Sequence, residues 1–98
     1  MDVYERLGTL RNGDSCFVDL HQTLLLGDHF GESPNMVLVE ALINAQRRGV
    51  VIVLWTAGTW RETLHGVNLL EKHGLVFDDV ITGVVKPTLI IDDISVTP

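Results

Sequence analysis

Asp19, Thr56, Lys86 and the adjacent pair Asp92-Asp93 are the residues whose types and spacing could do chemistry. Each follows a short apolar run. Asp19 ends the run that begins at Cys16, Thr56 follows Val50–Trp55, Lys86 follows Val80–Thr82, and Asp92-Asp93 follow Leu89–Ile91. Such runs between turn signals read as buried strands. Open α/β sheets hold their ligands at the C-terminal ends of strands, where these residues would stand. Two neighbouring carboxylates repel each other unless a cation is near, so Asp92-Asp93 point to a metal. Thr56 and the backbone N–H groups that follow it, from Ala57 on, precede a helix start. That position favours an anion such as phosphate.

The order Asp, Thr, Lys, acidic pair resembles the haloacid dehalogenase-like superfamily of aspartyl phosphatases. Its first motif, Asp-x-Asp-x-Thr, is matched by Asp19-Leu20-His21-Gln22-Thr23, with His21 in place of the second Asp. Thr56 matches the second motif, Lys86 the third and Asp92-Asp93 the fourth. The tail from Gly83-Val84-Val85-Lys86-Pro87 to Asp92-Asp93 looks most like the small capless phosphatases of that superfamily. The resemblance covers roughly positions 15 to 95.

The resemblance implies a Mg²⁺-dependent phosphatase acting on a small phosphate monoester through an aspartyl-phosphate. Asp19 would be the nucleophile. Asp19, the backbone carbonyl of His21 and Asp92 would ligate Mg²⁺, a hard cation that takes oxygen ligands. Asp93 would hydrogen-bond around the metal or its waters. Thr56, Ala57 and Lys86 would hold the phosphoryl oxygens. His21 would take the acid/base role that the family gives to a carboxyl group. An imidazole carries a proton near neutrality without tuning, but it reaches differently from a carboxylate, so weak turnover is expected, best on aryl phosphates. The alternative is a catalytically degenerate protein of the same fold that binds phosphate or metal, or regulates. A phospho-accepting receiver domain uses similar residues, but places the acidic pair before the acceptor Asp, the reverse of the order here.

These residues need a scaffold. The expected fold is α/β, a small Rossmann-like three-layer sandwich with a mainly parallel sheet, strand order 3-2-1-4 and no cap domain. The 98 residues form one domain, and 46% are hydrophobic, enough for a compact core. Residues 1–14 read as an arm or short helix, and residues 24–33 as a flap-like loop. In that loop Asp28, His29 and Glu32 match no metal signature, and solvation explains them better. Ser33-Pro34 reads as the opening of a helix whose apolar stripe is Val37, Leu38, Ala41, Leu42 and Ala45. Arg47-Arg48-Gly49 reads as its end. Val50–Trp55 reads as a central strand covered on both faces. Thr59-x-x-Glu62 reads as a capping box opening a helix to about His73, with Trp60, Leu64, Val67 and Leu70 inward. Asp78-Asp79 reads as a solvated loop before the third strand. The connection from Gly83 to Pro87 is short for a crossover between parallel strands, which normally takes about a dozen residues. A vestigial third strand, an extended crossing and strand exchange between chains all remain open there.

The net charge of −6 argues against nucleic acid held by bulk charge. The single Cys16 has no internal partner, which fits a reducing compartment, and no run approaches the length of a membrane span. A cytoplasmic protein with a small phosphorylated substrate is expected, and homo-oligomerisation stays open.

Overall fold

A computed structural model describes residues 2–28, 31–83, 90–91 and 96–97. The elements are α1 (Val3–Thr9), β1 (Ser15–Val18), β2 (Leu25–Asp28), β3 (Gly31–Pro34), α2 (Met36–Arg47), β4 (Val51–Trp55), α3 (Trp60–Lys72), β5 (Asp79–Ile81), β6 (Ile90–Ile91) and β7 (Val96–Thr97). The fold is mixed α/β around a small parallel sheet of order β1-β4-β5. Its register pairs Ser15 with Val51 through to Val18 with Leu54, and Val53 with Asp79 through to Trp55 with Ile81.

The expected four-strand order 3-2-1-4 is not supported. Of the fourth expected strand, Ile90-Ile91 pair antiparallel with Val96-Thr97 in a separate ladder, and the rest lies outside the described residues. Two-residue pairing supplies little cooperative support, so this ladder is slight beside the central sheet.

One face of the sheet carries the core. Val18 from β1 and Ile52 and Leu54 from β4 pack with Leu38 and Leu42 of α2, Leu70 of α3 and Leu20. The alternate positions point to the other face. There Phe17 and Trp55 meet edge to face, with ring centroids 5.6 Å apart. On this face Val53 is buried at 6% while Val51 stays 38% exposed and Phe17 of β1 50%, so the second face of β4 is covered at its middle and open at its start. The Trp55 Nε1–H is buried with no hydrogen-bond partner among the described residues.

The helix ends follow local chemistry. Asp2 caps α1 by accepting from the Glu5 N–H at 2.8 Å. Arg48 at the end of α2 donates to the Leu7 carbonyl at 2.9 Å and ties α1 to α2. Gly49 takes φ 92° and closes α2 as its sequence suggests, where only glycine rests easily. The start of α2 differs from expectation. Ser33-Pro34 belong to β3, paired with Leu26 and Leu25, and Asn35 is the cap. The Asn35 side chain accepts from the Leu38 N–H and donates to the Thr23 carbonyl, so one residue fixes both the helix and the turn before it.

The inward stripe of α3 also differs. Thr63, Gly66, Val67 and Leu70 are buried, while Trp60 and Leu64 stay exposed. Gly66 is the reason. A Cβ there would lie 2.9 Å from a Leu20 methyl and 3.0 Å from a Leu25 methyl, so only the bare backbone lets the helix approach so closely. Asp78 is more than a solvated loop residue. Its carboxylate accepts from the Ile52 N–H at 2.7 Å and from the Gln46 side chain at 3.3 Å, and so clamps β4 to α2. Among the described residues no helix is long and apolar enough to cross a membrane.

Candidate functional site

The parallel pairing of β1 and β4 positions the site. Val18 lies opposite Leu54, so Asp19 and Thr56 follow at the ends of neighbouring strands. Neighbouring strands run about 4.8 Å apart. The sequence folds this way because each apolar run stops at a polar residue that then leaves the sheet. Asp19 is partly exposed and Leu20 fully buried, which pins the chain just past the carboxylate.

A tight turn follows. The N–H groups of Leu24 and Leu25 both donate to the Leu20 carbonyl at 2.9 Å. Gln22 takes φ 60°, the left-handed region, and is the one non-glycine residue to do so among those described. Its N–H donates to the Leu25 carbonyl at 2.7 Å and its side-chain amide to the Gly27 carbonyl at 2.6 Å. The strained backbone is thus held from two sides. Residues 24–33, read as a flap-like loop, belong mostly to an antiparallel hairpin, β2 against β3, that ends one residue beyond, at Pro34. From β3, Glu32 Oε2 lies 2.8 Å from His21 Nδ1. An ionised carboxylate only accepts, so with Glu32 in that form Nδ1 would be the donor.

The β4 end is built differently. Thr56 is 3% exposed, and its hydroxyl oxygen accepts from the Gly58 N–H at 3.3 Å. Its backbone N–H donates to the Ile81 carbonyl, and the Gly58 carbonyl accepts from the Gly83 N–H. Thr59 caps α3 by accepting from the Glu62 N–H at 3.3 Å. Helix α3 therefore begins just past Thr56, with its positive end nearby. One group opposes an anion. The Glu62 carboxylate approaches Gly58, within 3.3 Å of where a Cβ would stand, and offsets part of that positive field.

Asp19, His21, Thr56 and Ala57 thus belong to the same end of the sheet. Lys86, Asp92 and Asp93 lie outside the described residues. Among the described residues no three His, Cys, Asp or Glu side chains are grouped to hold a metal ion. Of the Mg²⁺ donors expected from the sequence, the two that are described, the Asp19 carboxylate and the His21 carbonyl, are both oxygens, the atom type a hard cation takes.

A cavity of about 310 Å³ opens beside Asp19 between α1, β1 and α2, lined by Leu7, Leu10, Leu38 and Leu42, with Arg6 and Asp19 among its polar residues. Cys16 also borders it, and burial pushes the thiol above its ordinary range, which makes it a poor nucleophile.

Sequence reasoning left Glu32 in a solvated loop, although the structure joins it to His21. The signal was faint: the partners are eleven residues apart and meet only because a hairpin forms between them. No protein-family model matches the chain, and no curated protein or solved structure matches it either.

Proposed function

We propose that this protein is a Mg²⁺-dependent phosphatase of small phosphate monoesters that works through an aspartyl-phosphate on Asp19. The observation that carries the reading is the register of β1 against β4, which leaves a carboxylate and a buried threonine at adjacent strand ends, the second beside a helix N-terminus. Fold alone does not set function; the residues at those ends do.

Asp19 attacks phosphorus, and the bond to the ester oxygen breaks. His21, entering this step as imidazolium with a proton on each ring nitrogen, gives one to the departing alkoxide and becomes neutral. It then takes a proton from water, which attacks phosphorus, releases inorganic phosphate and restores the Asp19 carboxylate. The Thr56 hydroxyl, the Ala57 N–H and Lys86 hold the phosphoryl oxygens. Asp19, the His21 carbonyl and Asp92 would hold Mg²⁺, with Asp93 hydrogen-bonded around it. When bound, the ion neutralises charge on the phosphoryl group.

Calorimetry tests the reading. Mg²⁺ should bind at one site and Asp92→Asn should weaken it strongly. Unchanged affinity in that variant would remove Asp92 from the ligand set. Hydrolysis of an aryl phosphate that persists in Asp19→Asn would mean another residue does the work.

A further inference from the structure

We propose that Glu32, on the hairpin, is the positioning residue of His21: its carboxylate fixes the imidazole in the tautomer with the proton on Nδ1 and leaves Nε2 as the nitrogen that exchanges protons with substrate. The inference rests on the reading of His21 as acid and base, and extends it to a residue that no motif includes. The Nδ1–Oε2 distance of 2.8 Å suits a charge-assisted hydrogen bond. Which ring nitrogen is protonated is set by the hydrogen bond the other nitrogen's partner makes, so this contact decides the chemistry of the free nitrogen.

The surrounding backbone is arranged to deliver the contact. Glu32 lies opposite Gly27 in the hairpin register, and Gly27 has φ 140°. A Cβ on Gly27 would collide with the Gly31 carbonyl oxygen and stand 3.0 Å from Glu32 Cα. On the other side, Gln22 is tied to the Gly27 carbonyl, and His21 bridges to Leu25. Residues 21, 22, 25, 27 and 32 therefore form one hydrogen-bonded unit, and the hairpin becomes part of the site. A carboxyl group in place of His21 would repel Glu32, so the histidine and the glutamate suit each other.

The test reads the imidazole directly. ¹⁵N NMR of ring-labelled protein, at a pH where His21 is neutral, should show Nδ1 protonated and Nε2 bare. Glu32→Gln should keep that pattern, because the amide oxygen still accepts. Glu32→Ala should move the proton to Nε2 in most molecules, and Gly27→Ala should do so in part. In kinetics on an alkyl phosphate, Glu32→Ala should lower kcat about tenfold with KM little changed, and Glu32→Gln should retain most of the rate. A wild-type ring protonated on Nε2, or a tautomer and kcat indifferent to Glu32→Ala, would overturn the proposal. A tautomer that shifts as described in a protein without phosphatase activity would sustain the pairing and sink the phosphatase reading instead.

Discussion

The two parallel strands β1 and β4 end side by side but are finished in different ways. At the end of β4, Thr56 is buried, its hydroxyl is occupied by the Gly58 N–H, and a capped helix begins at once. At the end of β1, the chain makes a turn through a left-handed Gln22, and His21 stands 44% exposed, held by a glutamate from a separate hairpin. The first end is buried and held largely by backbone hydrogen bonds. The second is open and built from side chains. Binding an anion needs fixed dipoles, which burial preserves. Moving a proton needs a side chain that reaches solvent and substrate. Under the proposed function, phosphate affinity would belong to the β4 end and bond breaking to the β1 end.

The largest effect should come from Asp19. Asp19→Asn is nearly isosteric, and should lower aryl phosphate hydrolysis by at least about a thousandfold while circular dichroism stays unchanged. Next is Thr56→Val, which removes a buried hydroxyl and strands the Gly58 N–H. It should weaken inorganic phosphate binding by about tenfold and cost about 1–2 kcal/mol of stability in denaturant titration. If it lowered turnover without touching phosphate affinity, the division between the two ends would be wrong.

His21→Ala should leave phosphate affinity intact and slow alkyl phosphates by about tenfold, with a smaller loss on aryl phosphates, whose leaving group needs little protonation. Equal rates for wild type and His21→Ala on alkyl substrates would remove the acid role.

The smallest effect concerns Cys16. Its pKa is raised from the ordinary 9.0 by burial, so the folded protein holds the thiol proton more tightly than the unfolded chain. Stability should therefore be unaffected below that value and fall as pH climbs through it. Cys16→Ala should flatten this alkaline loss in thermal unfolding at a series of pH values, leaving both strand ends unchanged. A wild-type curve already flat at alkaline pH would mean that the thiol is free to ionise.

The unequal legibility of the chain has a physical cause. The helices α2 and α3 and strand β4 were readable because caps, stripes and β-branched runs are local signals. Ser33-Pro34 misled because their pairing with Leu26 and Leu25 is a tertiary fact that overrides a good local start signal. Trp60 and Leu64 looked inward by period, yet Gly66, which the stripe ignored, sets the contact face by letting α3 approach Leu20. The strand order failed at its fourth member, where pairing is least local. In the site, Asp19 and Thr56 stood out because each terminates an apolar run. Glu32 did not, because it reaches His21 only through the antiparallel pairing of β3 with β2, which the left-handed Gln22 precedes.

The most direct test of the central claim is to trap the phosphorylated protein. Incubation with Mg²⁺ and an aryl phosphate, acid quench and peptide mass spectrometry should place one phosphoryl group on Asp19, with none in Asp19→Asn. Aryl phosphate turned over with no acyl phosphate on Asp19, or the group found on another residue, would contradict the account.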